Sequence, residues 1–462
     1  MHSLSIFGTS SDAGKSTIAL FITYLLDKRG IKVAPFKAQN VSNNAKVCDL
    51  GGEIAVPQHF CAEAIGLETT HLMNPILLKS GGEGKTHLII NGESIGDKSV
   101  LDYYKDIDSL KPIVKEAFLK LKKEYDLIVA EGAGSPVELN LMHKDLSNIY
   151  IAKEFKTKII LVADIEKGGV FASVWGVYNL LPEKLRQNVI GVIINKFRGD
   201  LRLFDDGVKI IEKEFGLRVL GVIPYKPFNL GFEDSASLLN YHQDTVEKVI
   251  SIGVISLPFI SNFTDFEPLV IDREVEVRFI KTVSEAKEMD MIILPGSKKV
   301  ISDIEWLKNR GFWEYLKDEK DKPIVAICGG YEMAFEEILD LECIESDKKR
   351  VEGLGRFKGR VEFVSKKVVK KGKYSILGIE CEGYEIHNGV TKYIWQKQDN
   401  FFGTFLHGIF DNDEIRRELF SNISVTYRGY NFKRYKKNKI ESYAKFIESY
   451  LDMDTIVKEL DV

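Results

Sequence analysis

No apolar run in this sequence approaches the roughly 20 residues that a helix needs to cross a bilayer, so a membrane is not an expected partner. Met1 leads almost directly into a strand, without the charged and then apolar stretches of an export leader, and a cytoplasmic location is expected. Cysteine is scarce: five residues, Cys48, Cys61, Cys328, Cys343 and Cys381, odd in number and with no CxxC pair. That usage points away from a disulfide framework and from a zinc knuckle, and it fits a reducing compartment. An excess of positive charge is also missing, since 64 Lys and Arg face 68 Asp and Glu for a formal net charge of -4. Without a global basic field, a nucleic-acid polyanion is not expected to bind. The one local exception, Lys433 to Lys439 (KRYKKNK), reads as solvated surface. Internal repeats and low-complexity segments are absent.

What the chain does have is length, 462 residues with 44% hydrophobic and 29% charged side chains, enough for at least two domains with their own cores. Short apolar runs alternate with helical patterns, which predicts α/β architecture built on parallel sheets. Leu4 to Phe7 reads as the first strand, and Ile18, Phe21, Ile22, Leu25 and Leu26 then recur with the spacing of one helix face, stopped near Gly30. Ile- and Val-rich strands are predicted at Leu127 to Ala130, Lys158 to Ala163, Val189 to Ile194 and Val219 to Ile223. They close a first domain, residues 1–240. A polar linker is expected over Asp234 to Lys248, and strands restart at Val249 to Ser256, Met291 to Leu294 and Pro323 to Ile327 in a second α/β domain, residues 247–440. The tail, residues 441–462, has helical spacing and is expected to pack back as one last helix.

The loop between first strand and first helix is GTSSDAGKST, Gly8 to Thr17. It is one residue longer than GxxxxGK[ST], but its parts serve the same physics: a glycine turn whose backbone N–H groups face an anion at a helix N-terminus. Gly8, Thr9, Asp12 and Gly14 form the cradle, Lys15 reaches the outer phosphates, and Ser16 or Thr17 offers a hydroxyl to Mg²⁺. ATP is therefore the expected ligand. Glu131, in EGAGSP at the end of its strand, would face the ligand crevice at the carboxyl edge of a parallel sheet and hold Mg²⁺ directly or through water. Asn195 and Lys196, in INKFRGD, sit at another strand end suited to reading a purine base. Lys37, in APFKAQN, is placed to approach a phosphate or a substrate carboxylate.

In the second domain Cys328 follows the apolar run PIVAI and precedes Gly329, Gly330 and a helical pattern. This is a strand-turn-helix elbow that exposes a nucleophile, with the Gly329 N–H available to an oxyanion. His407, in GTFLHGIFDN, is the candidate base, and His387, in GYEIHNG, is its one serious rival. The loop LPGSK around Gly296 would give a second oxyanion N–H. These pieces make a thiol glutaminase.

Taken together, APFKAQN, EGAGSPVELNL, ADIEKGGVFAS, INKFRGD, SNFTDFEPL, LPGSK, ICGGYEM, GYEIHNG and FLHGIFDN resemble, in order and almost to the C-terminus, the adenosylcobyric acid synthase family. EGAGSP and the GGVFAS segment are specific to that family; GKST and CGG are not. The resemblance implies a P-loop domain like dethiobiotin synthetase, followed by a class I-like glutamine amidotransferase domain of flavodoxin-like build. It implies ATP, Mg²⁺, glutamine and the corrinoid adenosylcobyrinic acid a,c-diamide, whose b, d, e and g carboxylates would be amidated. The chain departs from expectation twice. Class I glutaminases carry a carboxylate two residues after the histidine, and here that residue is Ile409, so a Cys328–His407 dyad is predicted, with His407 oriented by a backbone carbonyl, a remote acid or Asp411. The family's DGGEI reads LGGEI, with Leu50 in place of Asp, which leaves Asp49 or Glu53 for any second metal contact.

The chemistry expected is γ-phosphoryl transfer from ATP to a carboxylate, then displacement by ammonia released at Cys328. Free ammonia would be protonated in neutral water, so a protected path between the domains is expected. Two other readings compete: a cobyrinic acid a,c-diamide synthase, separated by the EGAGSP and GGVFAS wording, and a partition-type nucleotide switch, which carries a signature lysine where Ser10 stands and needs neither Cys328 nor His407.

Overall fold

The computed structural model describes residues 2–82, 85–228, 230–231 and 248–462. The chain divides into two compact units, Met1–Ser42 with Cys48–Gly231 and Lys437–Val462, and Asn43–Val47 with Phe232–Lys436. The predicted linker Asp234 to Lys248 lies, up to position 247, outside the described residues.

The first unit is built on a six-stranded sheet in the order Val219–Pro224, Val189–Phe197, Lys158–Asp164, His2–Gly8, Leu127–Glu131, Val33–Phe36. Every neighbouring pair is parallel. Strands buried on both faces must be apolar throughout, which is why Leu127–Ala130 and Ile159–Ala163 are continuous Ile, Leu, Val and Ala with essentially no exposed surface. His2–Gly8 lies at the centre, so the loop that follows it opens where the connections diverge to either side, the place where doubly wound sheets bind ligands. Helix Lys15–Lys28 buries Ile18, Phe21, Ile22, Leu25 and Leu26 and ends where Gly30 N–H caps Asp27 O at 2.8 Å.

Between Val33–Phe36 and Leu127–Glu131 the chain makes an excursion with a four-stranded sheet of Gln39–Val41, Ile76–Gly82, Lys85–Ile90 and Glu93–Ser99. The tail differs from the single helix predicted, because Phe432–Glu448 and Met453–Leu460 are separate helices. The break is specified: Asp452 N–H bonds Leu220 O at 2.7 Å, and Asp452 Oδ1 caps Thr455 N–H at 2.9 Å.

The second unit has its own six-stranded sheet in the order Val275–Ile280, Ile250–Ile255, Met291–Leu294, Ile324–Ile327, Phe401–Thr404, Trp395–Gln398. All pairs are parallel except the last. A long hairpin, Phe357–Ile376 with Ile379–Val390, extends beside it. Tyr331, Phe335, Phe357, Phe401 and Phe405 form a buried aromatic cluster with ring centroids 5.0 to 5.8 Å apart, which fixes the helix after Cys328 against the sheet. Among the described residues no helix is long and apolar enough to cross a membrane.

Candidate active sites

The nucleotide loop is held from three sides. Thr9 N–H donates to Val162 O at 2.9 Å, Lys196 Nζ to Asp12 O at 2.6 Å, and Asn195 Nδ2 to Ala13 O at 2.9 Å. Gly14 adopts φ 92°, and a β-carbon there would stand 2.2 Å from Asn195 Nδ2, so both conformation and contact demand glycine. Asn195 and Lys196, predicted to read a purine, are thus found bracing the loop, with Lys196 also paired to Asp164 at 3.0 Å. Lys15 is 8% exposed and folds over the loop with Nζ 3.1 Å from Ser10 O. Ser16 and Thr17 occupy the first turn of the helix, where the N-terminal dipole favours an anion.

Glu131 is the hub of the site. Its Oε1 accepts Ser16 Oγ–H at 2.6 Å and Lys37 Nζ at 2.7 Å, and its Oε2 accepts Gln58 Nε2 at 3.0 Å. A hydroxyl and a carboxylate converging at a helix N-terminus form an oxygen donor set that fits Mg²⁺. The residues predicted for a second metal contact already have partners: Glu53 is buried in an ion pair with Lys79, as Glu131 is with Lys37, and Asp49 Oδ2 accepts Thr69 N–H and Oγ1–H, both at 2.7 Å. Leu50 is 72% exposed. Of these acids Glu131 is the one that meets Ser16 Oγ of the nucleotide loop, at 2.6 Å.

In the second unit, adjacent strand ends bring the glutaminase candidates together. Ile327 pairs with Thr404, and Cys328 N–H donates to Thr404 O at 2.8 Å, so Cys328 and His407 leave neighbouring strands at the same edge. Cys328 has φ 50° and ψ -109°, a strained elbow that only a tightly packed surround can hold. Gly330 permits it, because a β-carbon there would lie 2.2 Å from Leu294 O. Burial pushes the thiol well above its usual range, the Glu332 and Asp265 carboxylates push the same way, and the Gly329 N–H pulls back. The resting sulfur is consequently a thiol that needs a base. Gly296 stands beside His407, the candidate base: a β-carbon on it would be 3.5 Å from His407 Cε1. Its loop is anchored by Ser297 Oγ–H on Asp303 Oδ2 at 2.5 Å, and burial lifts the Asp303 carboxyl to about 6.

The acid beside His407 is Asp265. His407 is fully buried, its Nδ1 lies 2.6 Å from Asp265 Oδ2, and Asp265 Oδ1 accepts Gly408 N–H at 2.8 Å. Nδ1 therefore carries the proton and Nε2 presents its lone pair. The dyad expected from Ile409 gains its remote acid from the short 3₁₀ turn Phe263–Phe266. SNFTDFEPL carries Asp265 but gives no sign of its role, because an acid 142 positions from His407 in the chain has no spacing to betray it. His387, the rival base, has both ring nitrogens engaged, Nδ1 with Gly389 O at 2.7 Å and Nε2 with Glu385 Oε2 at 3.1 Å. It stacks on Phe405 at 3.8 Å and braces the hairpin whose Ile386 O receives the Cys328 thiol at 3.4 Å.

Comparison with known proteins places both halves. Residues 4–229 match the family described as CobQ/CobB/MinD/ParA nucleotide binding domain, and residues 251–398 match the CobB/CobQ-like glutamine amidotransferase domain. Over 463 residues the chain is 53% identical to the cobyric acid synthase of Acinetobacter baylyi, covering 100% of this chain and 99% of that protein. It is 40% identical over 477 residues to a probable cobyric acid synthase of Methanosarcina barkeri, covering 98% of each chain. The cobyric acid synthase of Listeria monocytogenes is 35% identical over 490 residues, with 98% of this chain and 96% of that protein covered.

Proposed function

The chain belongs to the cobyric acid synthase family of cobalamin biosynthesis, a family of glutamine-hydrolysing amide ligases, and from that premise we propose that it amidates the b, d, e and g carboxylates of adenosylcobyrinic acid a,c-diamide. ATP supplies the activation and glutamine the nitrogen. The observation that carries this reading is the Asp265–His407 contact of 2.6 Å at the strand edge that also bears Cys328, in a chain whose other half ends its first strand in a nucleotide loop.

A carboxylate is a poor acyl donor, so its oxygen first attacks the γ-phosphorus of ATP and gives an acyl phosphate and ADP. Lys15 offsets charge on the transferred phosphoryl oxygens, and the N-terminal dipole of Lys15–Lys28 acts in the same sense. Ser16 and Glu131 would hold Mg²⁺, which supplies further charge neutralisation there. Lys37, now on Glu131, is close enough to the same site to meet a phosphate or the substrate carboxylate.

In the other unit His407 Nε2 takes the Cys328 proton and the sulfur attacks the glutamine amide carbon. Gly329 and Gly296 N–H are assigned to the developing oxyanion. The proton passes to the leaving nitrogen, ammonia departs, and water attacks the thioester to release glutamate and restore the thiol. Ammonia then displaces phosphate from the acyl phosphate to give the amide. Asp265 keeps Nε2 unprotonated at rest and stabilises the imidazolium once it forms.

Asp265→Asn is expected to lower kcat for glutamine hydrolysis by about 10²-fold, since an amide facing Nδ1 no longer fixes the productive tautomer. Ammonia-driven synthesis is unaffected, and Asp411→Asn stays within about twofold of the parent, as a group outside the relay should. Steady-state glutamate release on both variants checks this. A large loss in Asp411→Asn with Asp265→Asn intact would transfer the role to Asp411.

A single glycine loop and a single Cys328 elbow serve four carboxylates, so the carboxylates must visit one centre in turn. A macrocycle cannot easily turn within a closed pocket, and partly amidated products are therefore expected to dissociate and rebind between steps. With substrate in large excess and early quenching, tri-, tetra- and penta-amides should exceed the enzyme concentration. Only diamide and finished hexa-amide would mean that amidation is processive.

A further inference from the structure

Asn262 occupies the nitrogen that catalysis needs. Its Nδ2 lies 3.0 Å from His407 Nε2, while the other ring nitrogen is committed to Asp265 at 2.6 Å. The orientation of this amide is fixed by its far end, because Asn262 Oδ1 accepts the N–H of Ala45 at 3.3 Å. With the oxygen so used, only the NH₂ group is left to face the imidazole. Asn262 is 4% exposed and sits at φ 53°, in the left-handed region that asparagine tolerates better than most residues.

What holds Asn262 is a short segment from far upstream. Residues Asn43–Val47 belong to the second unit although the residues on both sides, up to Ser42 and from Cys48, belong to the first. Within the second unit the segment makes several contacts around the histidine. Asn44 Oδ1 accepts Phe263 N–H at 2.9 Å, directly after Asn262 in the chain. Asn43 Oδ1 accepts Lys298 Nζ at 2.5 Å, two residues beyond Gly296. Lys46 Nζ lies over the Tyr384 ring at 4.8 Å, and that ring stacks on His407 at 5.2 Å.

We propose that Asn262 is a gate on the glutaminase base: its amide caps His407 Nε2 against the Cys328 proton, and the segment Asn43–Val47 holds it in place. The inference rests on the reading of His407 as the base that activates Cys328. For glutamine to be cleaved, the amide must give up Nε2, and the segment that positions it is covalently continuous at both ends with the nucleotide-binding unit. Movement of that unit through its reaction is thereby tied to release of the base. Glutamine hydrolysis is held back until an acceptor is being activated, which spares glutamine from futile loss.

The experiment measures glutamate release by the full chain at saturating glutamine, with and without ATP plus the corrinoid diamide. In Asn262→Ala, hydrolysis without ATP and corrinoid should rise about tenfold, the worth of one hydrogen bond, and stimulation by ATP and corrinoid should fall toward one. Asn44→Ala, which removes the support at Phe263, should do the same to a lesser degree. Ammonia-driven synthesis by each variant reports that the chain is folded. Unchanged basal hydrolysis overturns the gate, as does a lower rate, which is the mark of a merely structural prop. If His407→Ala retains glutaminase activity, the reading of the base has failed instead.

Discussion

Replacement of Cys328 by serine is expected to abolish glutamine-driven amidation, by at least about 10⁴-fold, and to leave ammonia-driven amidation at the parent rate. In the proposed mechanism the sulfur acts only in releasing nitrogen, as a nucleophile whose thiolate forms when His407 takes its proton. A serine hydroxyl is a far weaker acid than a thiol and gives no useful nucleophile against an amide with this base. The elbow itself should survive, because its strained φ of 50° is held by Thr404 O on the Cys328 N–H and by the close approach of Gly330 to Leu294 O. Serine is slightly smaller than cysteine and adds no atoms there. Product formation measured with glutamine and then with ammonium salt separates the two nitrogen routes. Glutamine use at the parent rate by Cys328→Ser would remove Cys328 from the mechanism.

Lys15→Ala should lose both nitrogen routes, by about 10³-fold or more, because the acyl phosphate precedes either source of ammonia. In the free chain the Lys15 ammonium rests on Ser10 O within the loop, 8% exposed and adjacent to the helix N-terminus. Alanine removes the charge without disturbing the anchors of the loop, since those run through Thr9, Asp12, Ala13 and their partners Val162, Lys196 and Asn195. The measurement is ADP formation together with amide formation under saturating ammonium salt. Ammonia-driven turnover at the parent rate would place Lys15 outside the phosphoryl site.

The two sheets and the elements that carry the sites were legible because their signals are local. Strands such as Lys158–Asp164 and Met291–Leu294 are short apolar runs at predicted positions, and a glycine loop or a Cys-Gly-Gly elbow declares itself within ten residues. What stayed hidden depends on distant partners. Asp265 reaches His407 across 142 positions, and the Ala45 contact with Asn262 spans 217. Neither leaves a periodicity or spacing to read. The buried partner of Glu53 is equally hidden, since Lys79 lies on a strand of a mixed sheet that no motif announces. Asn195 and Lys196 were placed correctly at a strand end, yet their contacts run to the loop backbone, which a sequence cannot orient. The tail was read as one helix because both pieces share helical spacing, and the break rests on a backbone bond from Asp452 to Leu220.

The central claim is that one chain couples ATP and glutamine to the amidation of a corrinoid carboxylate. The most direct measurement incubates the purified protein with adenosylcobyrinic acid a,c-diamide, ATP, Mg²⁺ and glutamine and follows the corrinoid by charge and mass. The account predicts stepwise loss of four carboxylate charges to the hexa-amide, with ADP and glutamate accumulating alongside, and no new amide when either ATP or the nitrogen source is withheld. An unchanged diamide in the presence of ATP and ammonium salt, or amidation that proceeds without ATP, would contradict it.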